Sequence, residues 1–217
     1  MRLNNLGIVI QARTGSKRLP NKLFYKIGNK TILEHIIYSL KKTKLLKNTI
    51  VATTNLNQDK KIVNFCKKKK LKYFCGNKKN VLDRYYKCSL KFKFNDIVRL
   101  TADNPFANID SIKKLAKFHI MNKFEYSTTL PVLPTGTGIE IFSKSALRKC
   151  FINAKSKYQK EHINEYIIQN KKKFKIGIFN SPCHYNKKFS YTIDTIQDYR
   201  KILKNFKKYR FNFKKYS

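Results

Sequence analysis

Arg13, Lys17, Arg18 and Lys22 stand in one short segment, Gln11-Ala12-Arg13-Thr14-Gly15-Ser16-Lys17-Arg18-Leu19-Pro20-Asn21-Lys22, around a flexible Gly15-Ser16. Cations beside a backbone that can approach closely make a cradle for a polyphosphate. Arg13 and Arg18 can fork phosphate oxygens, and Lys22 can act as a point charge. Two isolated carboxylates follow far downstream, Asp103 in Thr101-Ala102-Asp103-Asn104-Pro105 and Asp194 in Thr192-Ile193-Asp194-Thr195. Such a pair suits Mg2+, which takes few protein ligands and fills its shell with phosphate oxygens. A polyphosphate cradle plus two carboxylates is what metal-dependent nucleotidyl transfer needs. The bland alternatives are a basic loop in a basic protein and, for Asp194, a helix N-cap. The segment is not a Walker loop, because it lacks Gly-x-x-x-x-Gly-Lys-Ser/Thr.

Weaker candidates lie elsewhere. Asp83-Arg84 falls near a helix start, where an exposed ion pair is the plain reading. Glu161-His162 is also near a helix start, and either recognises substrate hydroxyls, transfers a proton, or is only a dipole-favoured Glu beside a surface His. Pro134-Thr135-Gly136-Thr137-Gly138-Ile139-Glu140 is a substrate-gripping loop or a turn into a strand.

The elements that must position these groups alternate. Leu6–Ile10, Thr49–Thr53, Lys72–Cys75 and Asp96–Leu100 read as short buried strands. Thr31–Thr43, Gln58–Lys70, Asn80–Phe92 and Asp110–Met121 read as the helices between them, the first capped by Thr31 with Glu34 three residues on. Leu23–Ile27 is extended and ends at the turn signal Gly28-Asn29. This order predicts an α/β fold, a mostly parallel sheet with helices on both faces, with ligands at the carboxyl ends of the strands. The cationic loop, Thr53-Thr54 and Asp103 would then share one edge. Later, Phe124–Thr129 reads as strand, Leu130–Gly138 as loop, Ile139–Ser143 as strand, Tyr158–Gln169 as helix, Lys175–Phe179 as extended and Ile196–Phe206 as helix. Lys207–Ser217 is a basic, aromatic tail, packed or frayed. Residues 1–217 read as a single domain, with the irregular stretch 124–142 as the place for a substrate or dimer contact.

Bulk properties narrow the class. The 217 residues suffice for one well-buried α/β domain, and 41% hydrophobic content favours a globular chain. No apolar run approaches a membrane span and no signal-peptide pattern opens the chain, so a cytoplasmic protein is expected. The five cysteines, Cys66, Cys75, Cys88, Cys150 and Cys183, are odd in number and lack CxxC spacing, against a zinc site or disulfide framework. The net charge of +37 comes from 49 Lys and Arg against 12 Asp and Glu. Lysine, Asn, Ile, Phe and Tyr share A/T-rich codons, so a solvated lysine surface outweighs a dedicated nucleic-acid face. The charge still steers anionic substrates inward.

Taken together, the segment Ile10–Lys22, Val51-Ala52-Thr53-Thr54, Val81-Leu82-Asp83-Arg84-Tyr85-Tyr86, Val98–Pro105, Gly138–Phe142, Glu161-His162-Ile163 and Thr192–Thr195 resemble the sugar-acid cytidylyltransferases. The resemblance is to the spore-coat polysaccharide and acylneuraminate cytidylyltransferase-like branch, related to the keto-deoxyoctulosonate enzymes. It runs nearly end to end and implies a Rossmann-like nucleotide-diphospho-sugar transferase fold. It also implies the reaction of CTP with a sugar acid, giving a CMP-sugar and pyrophosphate with Mg2+, for surface polysaccharide or glycan.

By position, Arg13, Arg18 and Lys22 would hold the triphosphate, and Gln11, Ala12, Gly15, Ser16 and Asp83 would also bind the nucleotide. Ala52, Thr53, Arg84 and Thr101 would line the nucleoside pocket. Asp103 and Asp194 would bind metal, with Arg13 and Lys22 joining them in catalysis. Glu140, Glu161 and His162 would face the sugar. Relatives are commonly homodimers. The family usually has Gly at Asn21, where Asn also tolerates positive φ, and often Cys or Glu at Asn104. The alternatives are a transferase using another nucleotide or a sugar phosphate, and a basic nucleic-acid-binding protein; no helix-turn-helix, zinc finger or RNP-like motif supports the latter.

Overall fold

An apolar run whose neighbours face opposite ways must be covered on both sides. Ile8 and Ile10 enter one core cluster and Val9 another, all fully buried, so β1 (Leu6–Gln11) lies inside a sheet with two covered faces. The computed structural model describes residues 5–130, 132–182 and 185–214, with side chains described through residue 206. After β1 come β2 (Lys26–Ile27), β3 (Lys30–Thr31), α1 (Ile32–Lys42), β4 (Thr49–Thr54), α2 (Lys60–Lys68), β5 (Lys72–Gly76) and α3 (Val81–Lys91). Then follow β6 (Asp96–Thr101), α4 (Ile112–Met121), β7 (Tyr126–Thr128), β8 (Glu140–Ser143), α5 (Lys144–Asn153), α6 (Lys157–Glu161), α7 (Glu165–Gln169), β9 (Ile176–Ile178) and α8 (Ile196–Lys214).

The main sheet runs β5-β4-β1-β6-β8-β7-β9. β1 pairs in parallel with β4 and β6, β4 with β5, and β7 with β9, while β8 is antiparallel to both its neighbours. On one face, Leu33, Ile36 and Leu40 of α1, Ile62 of α2 and Leu115 of α4 meet Ile8, Ile10, Val98 and Leu100. On the other, Tyr85 of α3, Leu147 of α5 and Ile167 of α7 meet Val9, Ile50, Ile97 and Phe142. A third cluster, of Leu19, Ile27, Ile32, Tyr191, Ile193 and Ile202, ties α8 and the segment before it to the cationic loop. Among the described residues, no helix is long and apolar enough to cross a membrane.

The expected cap of α1 is present: Thr31 accepts from the Glu34 amide, and Glu34 reaches back to the Thr31 amide. Partial burial works to raise the Glu34 carboxyl, but the Lys69 ammonium and the Thr31 bonds outweigh it and hold it at about 2. A depressed carboxyl contributes stability above its unfolded pKa, lost as pH falls towards 2. We expect Thr31→Ala to cost about 1 kcal/mol, read as a lower denaturant midpoint, and the gap from wild type to narrow in acid.

Five expectations need correction. The stretch Tyr158–Gln169 is two helices, not one. α6 starts on its own capping box (Ser156 with Gln159), His162 leaves helical geometry, and Ile163 drops fully buried into the core. α5 was not foreseen; it is capped by Ser143, which accepts from the Ala146 amide. Leu23–Ile27 is a 3-10 turn (Lys22–Phe24) followed by one arm of the β2–β3 hairpin, turned at Gly28 with φ 63°. α2 begins at Lys60 because Asn57–Asp59 form a tight turn that buries Asp59. At the C-terminal end, α8 runs past Phe206 to Lys214. Pro131 in the predicted loop, Cys183 and residues 215–217 lie outside the described residues. Burial pushes the thiols of Cys66, Cys88 and Cys150 up to about 12, which suits packing rather than nucleophilic attack.

Candidate active site

The parallel strands β1, β4 and β6 end at one edge, and the cationic loop leaves from β1 there. The loop is shaped by its own backbone. The Thr14 carbonyl accepts from the amides of Ser16 and Asn21, both at 2.9 Å. Asn21 adopts φ 56°, ψ 18°, the left-handed geometry that Gly or Asn takes at least cost. That turn sends Lys22 inward, where it is 8% exposed. Its ammonium donates to Asp103 Oδ2, Asp194 Oδ1 and the Ile193 carbonyl, each at 2.8 Å. The two carboxylate oxygens are therefore no farther apart than twice that distance. Arg18 meets the other Asp194 oxygen at 2.9 Å, and Arg13 approaches Glu161 at 3.5 Å.

Asp194 reaches this place by backbone pairing. The Ile193 amide donates to the Asp103 carbonyl, which holds the two acid-bearing segments together. Asp194 is not the N-cap of α8. Thr195 and Asp198 cap that helix between them, and Asp198 also accepts from the Asp194 amide. The Asp194 carboxylate is left to the cations.

The same segment is fixed upstream, where the Tyr191 amide donates to Thr135 and Gly136 sits at φ 88°. A Cβ on Gly136 would come within 2.5 Å of the Thr192 nitrogen. We expect Gly136→Ala to destabilise the fold by at least about 1 kcal/mol and to weaken turnover in the surviving folded protein, because it displaces the backbone that carries Asp194. A thermal melt and a rate measurement below the transition check both.

A cavity of about 740 Å³ opens on this edge. Gln11, Arg13, Gly15, Ser16, Arg18, Lys22, Thr101, Asp103, Glu161, His162 and Asp194 all line it, as the sequence predicted for one site. Lys17 lines it too. Leu23, Gln58, Lys78, Arg99 and Ala102 join them without having been singled out. Ala12, Ala52, Thr53, Asp83, Arg84 and Glu140 are buried and not on its walls.

A family model described as Cytidylyltransferase matches residues 7–215. The chain belongs to the cytidylyltransferase family. It is 27% identical over 206 residues to a spore coat polysaccharide biosynthesis protein of Bacillus subtilis, covering 92% of this chain and 85% of that one. It is 29% identical over 185 residues to a 3-deoxy-manno-octulosonate cytidylyltransferase of Wigglesworthia glossinidia brevipalpis, covering 79% and 73%. The solved structure of a cytidylyltransferase from Leptospira borgpetersenii superposes with a TM-score of 0.86 at 33% identity, covering 92% of this chain and 85% of that one. The seven-stranded sheet is thus the Rossmann-like sheet of nucleotidyltransferases, and the protein is an enzyme of that class.

In this cytidylyltransferase residues on and behind the cavity wall carry unused polar capacity. Arg84 is 1% exposed, its Nη1 donates to the Asn77 carbonyl at 2.7 Å, and its Nε and Nη2 have no partner among the described residues. Burial lowers its pKa. Thr53 Oγ1, Gln11 Oε1 and Thr101 Oγ1 are likewise buried without partners. Buried polar atoms without partners are costly unless something pairs with them. Asp83 does not pair with Arg84; it is buried and meets Lys87 one helical turn on.

Glu140 stands opposite Arg99 across β6 and β8. Arg99 donates to it at 2.7 Å and Tyr126 donates to its other oxygen. Burial pulls the Arg99 guanidinium down, but Glu140 more than compensates and raises its pKa. Arg99, not Glu140, is the member of this pair on the cavity wall. An arginine inside the apolar strand Ile97-Val98-Arg99-Leu100 was the signal for it.

Proposed function

We propose that this enzyme joins CMP from CTP to a sugar acid and releases pyrophosphate, with Mg2+, for surface polysaccharide or glycan. The observation that carries this reading is the Lys22 ammonium shared by Asp103 and Asp194 inside the cationic cradle. Among the described residues, no group of three or more His, Cys, Asp or Glu is arranged to hold a metal ion. Two carboxylates brought to one point fit Mg2+, which binds one or two carboxylates together with substrate phosphates. Asp103 and Asp194 would hold it, and the ion when bound supplies charge neutralisation at the phosphoryl oxygens.

The chain's own residues do the rest. Arg13, Arg18 and Lys22 take up the triphosphate, and each must exchange its present carboxylate partner for phosphate oxygen. Their charge also meets the negative charge that grows on the departing pyrophosphate. Arg84, Thr53 and the backbone around Ala12 and Ala52 flank the nucleoside, with Gln11 and Thr101 completing that wall. Arg99, held by Glu140 and Tyr126, and Glu161 with His162 face the acceptor sugar, whose hydroxyl attacks the α-phosphorus. Orientation by these walls is a large part of the acceleration. The acid acceptor is supported by the likeness to the octulosonate enzyme, and the polysaccharide role by the spore coat relative. The reading includes a homodimer touching through 124–142, where Leu130 is exposed while Tyr126, Leu133 and Ile139 are buried within the monomer.

The test is pyrophosphate release by the purified protein with Mg2+, each of CTP, UTP, ATP and GTP, and a panel of sugar acids and sugar phosphates. Release with CTP and a sugar acid alone is expected. Release only with another nucleotide, or only with a sugar phosphate, overturns the assignment of base or acceptor.

A further inference from the structure

We infer that Asp59 is a positioning residue that sets the phosphate loop in its nucleotide-binding shape. The inference rests on the nucleotide reading above. Asp59 is fully buried in a chain with 12 acidic residues. A buried carboxylate is expensive unless its oxygens are well supplied with hydrogens. Here Oδ1 accepts from both the amide and the hydroxyl of Thr14 at 2.7 Å, and Oδ2 accepts from the hydroxyl of Thr54.

Those partners are not arbitrary. Thr54 ends β4, so the carboxylate clamps the loop to the end of the neighbouring strand. Thr14 is the hub of the loop, since its carbonyl collects the amides of Ser16 and Asn21. Fixing the Thr14 peptide therefore fixes Arg13 before it and the left-handed Asn21 that turns Lys22 inward. The adjacent Gln58 covers Gly15 closely: a Cβ there would lie 2.3 Å from its Nε2. Asp59 itself is not on the cavity wall, while Gln58 is. It acts on the nucleotide only through Thr14.

An amide cannot replace this carboxylate fully. The Thr14 amide can only donate, and an Asn side chain offers it one neutral oxygen where the carboxylate offers two charged ones, so the Thr54 hydroxyl would have to turn and accept from the new NH2. Asp59→Asn is expected to weaken CTP binding in the presence of Mg2+ by at least tenfold, measured by calorimetry well below the unfolding midpoint. Thr14→Val removes the hydroxyl but leaves Asp59 and the fold in place, and is expected to weaken CTP about tenfold. Thr14→Ser restores the hydroxyl and is expected to bind within twofold of wild type. This rescue separates positioning from mere stability, because a structural role alone would lower the unfolding temperature without moving the affinity of the folded protein. Should Asp59→Asn fail to fold, the Thr14 pair decides. Wild type that binds CTP while Thr14→Val binds it equally well overturns the inference alone. Wild type that binds no CTP removes the nucleotide reading and the inference with it.

Discussion

Replacing Lys22 by methionine is expected to cut turnover by about a thousandfold, or about 4 kcal/mol of barrier. Methionine keeps much of the side chain's length and bulk, so the buried stem still packs near Leu23 and the fold should survive, which a thermal melt would verify. What disappears is the charge that Asp103, Asp194 and the Ile193 carbonyl now share. Two carboxylates this close repel each other once their cation is gone. Loss of one donor to the developing charge in a transition state costs about 10²–10³-fold on its own, and the distorted acid pair adds to that. A second readout separates this role from general damage. The ammonium and a divalent ion compete for the same carboxylate oxygens, so Lys22→Met is expected to bind Mn2+ more tightly than wild type when nucleotide is absent. Pyrophosphate release at the wild-type rate would sink the role given to Lys22. Unchanged Mn2+ affinity would show that lysine and metal do not compete.

Much of this site was legible because its parts are local. Asp103 and Asp194 stand out as acids after apolar runs; β6 brings Asp103 to the loop by topology alone, whereas Asp194 follows no strand and arrives through the backbone bond from Ile193 to Asp103. The cap of α1 is written in Thr31 and Glu34, and the tolerance of Asn for positive φ accounts for its place at residue 21. What sequence reading missed is mostly long-range. Arg99 and Glu140 are partners through the register of β6 against β8, which no periodicity discloses. Asp59 lay inside a predicted helix and gave no sign that Thr14, 45 residues earlier, would bury it.

The break between α6 and α7 was hidden for a different reason. Ile163 and Ile167 are one helical turn apart and both face the core, so their spacing imitates a continuous helix. The signal that resolves it is local: Ser156 and Gln159 form a capping box that starts a separate short helix. That break leaves Glu161 and His162 at a helix end facing the cavity rather than mid-helix. α5 escaped notice because its buried residues, Ala146, Leu147 and Cys150, make a short and weakly amphipathic stripe.

Asp103→Asn and Asp194→Asn should each reduce turnover by at least about a thousandfold, yet they should differ in how they bind nucleotide. Among the described residues the Asp103 carboxylate bonds to Lys22 alone, whereas Asp194 restrains both Lys22 and Arg18. Both cations belong to the cradle, so the Asp194 carboxylate competes with phosphate for them in the free enzyme. Its neutral isostere releases that competition. Asp194→Asn is therefore expected to bind CTP without metal more tightly than wild type, while Asp103→Asn changes that affinity less. Tighter ground-state binding with lost turnover is the mark of a group whose value is realised in the transition state. Calorimetry in a chelating buffer, set beside pyrophosphate release with saturating Mg2+, measures the two quantities separately. If Asp194→Asn instead loses CTP affinity and turnover in the same proportion, the carboxylate serves to hold Arg18 and Lys22 in place, and Asp103 alone would remain as the candidate metal ligand.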